Sequence, residues 1–222
     1  LIKPYIEVVN KSDPALDNKG PAGYNYKNPT DGTYKNQTDI QNIKILRAGA
    51  DLKIELQMNI ISRTWNPTVN PFDHVLFSVF LIDSDNTTGC AAHPKHNYNI
   101  PNGNKWDYMF KAEGWKTTMF NSIGADSTTD GEALSYGPTA EVNWDDDMQT
   151  EKVGGTITFI LPSAAFGSPD NLTGWKIYIN TWDMDMGKLR ELTADGAAHK
   201  FGGGDGTVDP LLMDETDIID LM

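Results

Sequence analysis

Carboxylates are the chain's most abundant titratable groups: 31 Asp and Glu stand against 18 Lys and Arg in 222 residues, for a net charge of −13. Two carboxyl groups about 5–10 Å apart, one with a raised pKa, would suit glycoside hydrolysis. The densest groups are Asp145-Asp146-Asp147 and the pair Asp183 and Asp185. The run of three reads as a solvated loop. His93 and His96 have the spacing of a metal pair, but no Glu accompanies them in the manner of a zincin and Pro94 interrupts the segment, so a zinc site is not expected. No Gly-x-Ser-x-Gly elbow occurs. Cys90 sits between Gly89 and Ala91, outside any nucleophile signature, and reads as structural. These residues assemble no catalytic constellation.

Hard cations are the better match. Ca²⁺ takes several oxygen ligands from carboxylates, amides and backbone carbonyls on flexible loops. Asp13, Asp17 and Asn18 lie on a Gly/Pro-rich segment, and Asp39 opens a strand. One structural Ca²⁺ is therefore expected on Asp17 and Asn18, with Asp39 and backbone carbonyls near Gly23 as partners. Plain Asx turns and caps are the competing reading. The segment Asp83-x-Asp85-Asn86 looks like the start of an EF-hand loop, but Pro94 stands where the closing Glu belongs. Residues 200–210, Lys-Phe-Gly-Gly-Gly-Asp-Gly-Thr-Val-Asp-Pro, invite comparison with a phosphate cradle. No Lys-Ser/Thr follows the glycines, and Asp205, Asp209 and Asp214 repel phosphate. An irregular, acidic closing segment is expected instead, its carboxylates on a Gly-rich backbone suited to a bound cation or a tight covering loop.

Aromatic faces offer a third chemistry. A sugar ring stacks its C–H bonds on Trp or Tyr while Asn, Asp, Gln and Lys pair with its hydroxyls. Six Trp and eight Tyr are available. Along residues 175–182, strand alternation puts Trp175, Ile177 and Ile179 on one face and Lys176, Tyr178, Asn180 and Trp182 on the other. The first face reads as core. The second is expected to be a wet platform, with Trp182 and Tyr178 as stacking rings and Asn180 as a hydrogen-bonding neighbour. Trp65, beside Asn66-Pro67, is the alternative anchor, or else a lid over a sheet edge. Trp106, Tyr108 and Phe110 alternate onto one inward face, and Trp115 and Trp144 are expected to pack in the core.

The elements that must position these groups are overwhelmingly β. Segments 39–46, 51–61, 75–82, 106–112, 155–161 and 175–182 are rich in β-branched and aromatic residues and bounded by Gly, Pro, Asn or Asp. Leu52, Ile54, Leu56, Met58 and Ile60 alternate with polar residues, which places one face in a core and one in water. Residues 75–82 are nearly all apolar and read as a central strand covered on both sides. A helical turn is expected only at 163–166. With no internal repeat and no linker, residues 1–222 read as a single antiparallel β sandwich, immunoglobulin-like or jelly-roll-like, with long ordered loops at 10–38, 84–105 and 121–143.

Net charge of this sign disfavours nucleic acid or an anionic membrane as partner, and favours neutral ligands and cations. No run of about 20 apolar residues could span a bilayer. The chain starts at Leu1 without a basic start and apolar stretch, as expected of a processed chain or of a piece of a longer one. Either suits a secreted or cell-surface accessory.

Several short motifs carry a family resemblance. Leu189-Arg190, Phe201 to Gly204, Asp209-Pro210 and Asp214 resemble the end of the C-terminal module of glucodextranase and of amylopullulanase-type enzymes, a DOMON-like sandwich. Asp13-Pro14, Asp17-Asn18, Gly20-Pro21 and Gly23-Tyr24-Asn25-Tyr26 are similar to its opening, and Asp39-Ile40 to its first core strand. Asn66-Pro67, Phe72-Asp73-His74, Ile82-Asp83 and Trp106-Asp107-Tyr108 follow in order between them. The resemblance implies a non-catalytic module that binds an α-glucan such as starch, pullulan or dextran, attached to or partnered with a glycoside hydrolase, or used for surface retention. Two other readings stay open. One is a haem-binding electron-transfer module, for which Met58, Met109, Met119 and Met148 are available as axial ligands. The other is a structural or self-associating surface domain.

Overall fold

Alternating apolar side chains on long strands demand a second apolar surface to cover them, and here two antiparallel sheets supply it to each other. The computed structural model describes residues 4–206 and 208–222, so Thr207 of the glycine-rich stretch lies outside it. The strands that build the sheets are β1 (Ile6–Ser12), β2 (Ile40–Ala48), β3 (Asp51–Met58), β4 (Val75–Ile82), β5 (Tyr108–Ala112), β6 (Thr117–Asn121) and β7 (Glu132–Leu134). Then come β8 (Thr139–Val142), β9 (Thr156–Leu161), β10 (Lys176–Asp185), β11 (Lys188–Leu189), β12 (Asp214–Glu215) and β13 (Ile219–Asp220). One sheet has the order β1-β2-β3-β9-β8, the other β7-β6-β5-β4-β10-β11, with β12 and β13 also paired to β10. Ladders within both are antiparallel. The only helical turns among the described residues are short 3₁₀ segments, Pro101–Gly103 and Ser163–Phe166. The fold is an all-β antiparallel sandwich.

Inward residues of the two sheets form one core. Ile43, Ile45, Leu52, Ile54 and Leu56 on the first sheet meet Phe77, Val79, Leu81, Ile177 and Ile179 on the second. Each fully buried aliphatic or aromatic side chain contributes about 1.5–3 kcal/mol. Strand β4 is buried at every position, as its continuous apolar sequence predicts. The reason is that the second sheet is covered on its outer face too. Phe80, Ile82, Met109 and Tyr178 pack there with Ile100 and Trp106 of the 84–106 segment. Farther along the same face, Trp182 packs with Tyr26, Tyr34, Phe201 and Met213 from distant parts of the chain.

Trp106 is a correction to the alternation expected with Tyr108 and Phe110. The strand starts at Tyr108, and Trp106 turns to the outer cluster, where Nε1 donates to the Ala92 carbonyl at 2.7 Å. The glycine-rich stretch lets two segments cross closely. Gly202 exchanges backbone hydrogen bonds with Lys27, and at Gly203 (φ +93°) a Cβ would lie 2.8 Å from the Asn25 carbonyl oxygen. The N-terminal and C-terminal segments thereby meet over the outer face.

Candidate functional site

Outside the core, Trp65 and Trp115 stay accessible side by side, and a buried carboxylate bonds the Trp65 backbone. Asp73 is fully buried beside residues 62–65: its Oδ1 accepts the Ser62 hydroxyl at 3.0 Å and its Oδ2 accepts the Trp65 N–H at 2.6 Å. The next side chain, His74, accepts or donates toward Thr64 Oγ1 at 2.9 Å and lies 3.2 Å from the Met184 carbonyl through Nδ1. A carbonyl can only accept, so Nδ1 carries a proton and, in the neutral ring, Nε2 accepts from Thr64. Trp65 leans on the His74 ring with centroids 4.2 Å apart, and on Trp115 at 5.4 Å. Trp65 keeps 39% of its surface exposed and Trp115 38%, against 1% for Trp182.

Beside Trp65 opens a groove of about 430 Å³. Lys35, Gln37, Ser62, Thr64, Glu151 and Asp185 line it with hydroxyl, amide and charged groups. Lys35 and Glu151 form an ion pair there. A ring face beside convergent polar groups is the general form of a site for a polar ligand with an apolar face. Trp115 was expected in the core; it stands on the 113–116 turn and is 38% exposed. Trp144, also expected there, is half-buried and does pack against the core, with Nε1 donating to the Pro71 carbonyl at 2.9 Å and the Arg63 guanidinium 4.1 Å over its ring.

The platform expected on β10 is a correction. Trp182, Tyr178 and Asn180 do share one face, but that face is covered and turns no ring toward water. Trp182 Nε1 donates to the Arg190 carbonyl at 3.1 Å, and its ring meets Phe201 and Tyr26 edge-on. Tyr178 stacks on Phe80 at 5.8 Å and donates its hydroxyl to Glu215. Asn180 lies within 3.4 Å of His93 Nδ1, while His93 Nε2 lies 3.1 Å from Ser78 Oγ. His93 and His96 stack ring on ring at 3.7 Å. Burial holds both below the usual imidazole range, His96 at about 4.

Three carboxylates form a separate cluster. Oxygens of Asp13, Asp17 and Asp214 lie within 4.8 Å of one another. Asp13 Oδ2 is buried and has no hydrogen-bond partner among the described residues. Burial, with Asp17 and Asp39 adding repulsion, pushes Asp13 up to about 7. Burial also lifts Asp214 to about 9, against the pull of the Ile40 N–H, and Asp13 and Asp17 raise it further. Asp17 and Asp39 are raised as well, again chiefly by burial. An all-oxygen set with an orphaned buried oxygen fits a hard divalent cation. Of the residues expected to hold one, Asp17 belongs to this group. Asp39 adjoins it electrostatically, its Oδ1 accepting the Leu16 N–H at 2.7 Å. Asn18 is buried and turns its amide N–H toward Tyr34 and Thr38. Asp13 is among the oxygen donors the sequence offers on that loop, though not one of the expected ligands, and Asp214 belongs to the separate acidic closing segment. Asp13 shares the acidic loop, but Asp214 reaches it only through the fold.

The remaining candidates have local roles. Asp145, Asp146 and Asp147 are exposed. Asp83 Oδ1 accepts the Asp85 and Asn86 N–H groups, an Asx turn. Asp183 is buried with Arg190 and Gln37, and Asp185 pairs with Arg190 and His199. Met58 and Met119 lie in the core between the sheets, Met109 in the outer cluster, and Met148 is exposed.

A family model, described as the SLH-like C-terminal binding module of glucodextranase, matches residues 8–221. No curated relative matches the chain.

Proposed function

Because the chain belongs to the family of SLH-like C-terminal binding modules of glucodextranase, we propose that it is a non-catalytic carbohydrate-binding module for an α-glucan, outside the cell or at its surface, working alongside a glycoside hydrolase. The ligand is starch, pullulan or dextran, and the seat is the groove at Trp65. The observation that carries this reading is the tilted pair of Trp65 and Trp115, both more than a third exposed, beside a groove lined by hydroxyl and amide groups. A hexose stacked on Trp65 removes apolar area from water on both partners, worth on the order of 1 kcal/mol beyond the area term. Its hydroxyls then have Thr64, Ser62, Gln37 and the Lys35–Glu151 pair within the same groove. Gel retardation in pullulan, dextran and soluble starch tests the reading. The unsubstituted protein is expected to be slowed by at least one glucan and Trp65→Ala to run as in a blank gel. Equal retardation of the two proteins, or none of the unsubstituted one, overturns it.

A second, separate reading concerns Asp13, Asp17 and Asp214. We propose that these residues, with Asp39 beside them, hold one structural Ca²⁺ that ties the N-terminal loop to the C-terminal segment. Its support is the orphaned Asp13 oxygen among mutually repelling carboxylates. The ion supplies positive charge; the loop's own contribution is to hold three carboxylates together.

A further inference from the structure

Against a net charge of −13, a groove on the second sheet gathers four lysines. Lys95, Lys111, Lys116 and Lys188 all line a cavity of about 290 Å³ on the outer side of the second sheet, and its only acidic lining residues are Glu113 and Asp130. Four lysines against two carboxylates leave the groove two charges positive, while the rest of the chain carries the whole acidic excess. The lysines come from separate places: Lys95 from the 84–105 segment, Lys111 from β5, Lys116 from the turn before β6, and Lys188 from β11. Their convergence is therefore a product of the fold and not of a basic run in the sequence.

The frame is built. Asp130 is mostly buried and paired with both Lys95 and Lys111, the latter at 3.1 Å, with the Lys111 side chain only 12% exposed. Lys188 leans toward Glu191 at 3.6 Å, an exposed pair that contributes little. Among the described residues Lys116 Nζ has no partner. The floor is apolar, formed by Leu76 and Met184 with Phe120 half-buried beside them.

We infer that this groove binds a carboxylate-bearing sugar, a uronate residue of an acidic glycan. Lysine ammonium groups act as point charges that attract a carboxylate without fixing its orientation. A bare phosphate would meet the same lysines but would have no use for the apolar floor. A uronate ring uses both: its carboxylate faces Lys116 and Lys188, its C–H face lies over Leu76, Phe120 and Met184, and its hydroxyls donate to Glu113 and Asp130. The negative field of the rest of the molecule disfavours long polyanions such as nucleic acid, which selects a short acidic segment. The site and the Trp65 groove share no lining residue, and the inference does not depend on the α-glucan reading.

Titration calorimetry with tri-galacturonate, maltotriose and inorganic phosphate tests it. Tri-galacturonate is expected to bind the unsubstituted protein, and more weakly as salt is raised. The doubly substituted Lys116→Gln/Lys188→Gln protein should lose roughly tenfold in affinity or more, while Lys116→Arg/Lys188→Arg retains it. Both lysines are solvent-facing, so a matched melting curve is expected for each variant. Tri-galacturonate binding that equals that of maltotriose, that ignores the Gln substitutions, or that phosphate displaces at equal concentration overturns the proposal, as does absence of binding. Loss of maltotriose binding alone bears only on the Trp65 groove.

Discussion

Asp214 Oδ2 accepts the backbone N–H of Ile40 at 2.7 Å, joining residues 174 positions apart. Ile40 opens the first core strand, and Asp214 follows the segment that closes over the outer face. The same carboxylate lies among Asp13 and Asp17, so one side chain couples the loop, the core strand and the C-terminal closure. The charge state of this group should therefore govern how firmly the ends are fastened.

That coupling gives a pH dependence whose sign is fixed. Asp13 and Asp214 titrate at about 7 and about 9 in the folded chain, above the unfolded value near 3.8. The folded state then binds more protons than the unfolded one, so the stability these groups supply is full below pH 3.8 and is lost as pH rises through 7 to 9. His93 and His96 act oppositely, because their folded values are depressed; they favour the fold above pH 6.5 and oppose it toward pH 4. Between pH 6.5 and 9 the carboxylates dominate. With EGTA present, the melting temperature should fall across that window; with millimolar Ca²⁺ the fall should flatten, because the ion favours the charged carboxylates. Identical curves in Ca²⁺ and EGTA would leave the cluster as proton-sharing carboxyls without an ion.

Trp182 and Trp65 should separate folding from binding. Trp182 is buried and anchored by its indole N–H to the Arg190 carbonyl, with Phe201 and Tyr26 packed on it. Trp182→Ala is expected to cost about 3–5 kcal/mol of stability, in line with large-to-small changes in cores. Trp65→Ala should stay within about 1 kcal/mol, since much of the ring already faces water. Chemical denaturation of the two variants measures the difference. A neutral effect of Trp182→Ala would mean that its cover opens freely.

Much of the scaffold was legible because side-chain alternation has a period of two. Leu52, Ile54 and Leu56 declared an inward face, and the unbroken apolar run at 75–82 declared a strand covered twice. The division of β10 into an Ile177/Ile179 face and a Tyr178/Trp182 face also followed from alternation. What alternation could not reveal was the cover. It comes from Tyr26, Tyr34, Phe201 and Met213, which lie on irregular segments without periodicity. A wet aromatic platform and a covered one have the same local sequence. The carboxylate cluster was half legible for a similar reason: Asp17 sits on a visibly acidic loop, whereas Asp214 joins it from the opposite end of the chain. Trp115 failed in the other direction, since nothing in its neighbours announced that its turn would stay uncovered.

Gly114 tests how the exposed pair is held. It adopts φ +83°, a region costly for any residue with a Cβ, and a Cβ there would lie 2.0 Å from the Phe72 carbonyl oxygen. Phe72 is buried in the core and cannot yield without moving its neighbours. Gly114→Ala should therefore destabilise the chain by roughly 3 kcal/mol or more, combining backbone strain and overpacking. Trp115, the next residue, should be displaced with it, and the intrinsic fluorescence of the folded variant should change. An unaltered spectrum with unaltered stability would show that the 113–116 turn is softer than its geometry implies.

Asp73 is the last point of control, because its two oxygens hold Ser62 and the Trp65 N–H from a fully buried position. Asp73→Ala leaves the Trp65 N–H without its acceptor, at a cost of about 1–3 kcal/mol, while the Ser62 hydroxyl keeps the backbone carbonyl of residue 73 at 3.3 Å. Asp73→Asn should cost less. Its amide oxygen can still accept from Trp65, and its NH₂ can donate to the Ser62 oxygen, which accepts as readily as it donates. The two variants should then differ in ligand affinity as well. If Trp65 is the sugar anchor, loss of its backbone tether in Asp73→Ala lets the ring leave His74 and weakens glucan binding roughly tenfold, whereas Asp73→Asn stays near the unsubstituted value. Retardation in glucan gels at a temperature where both variants are folded makes the comparison. Equal retardation of the Ala, Asn and unsubstituted proteins would show that the tether serves stability alone and that Trp65 holds its place by stacking on His74 and Trp115.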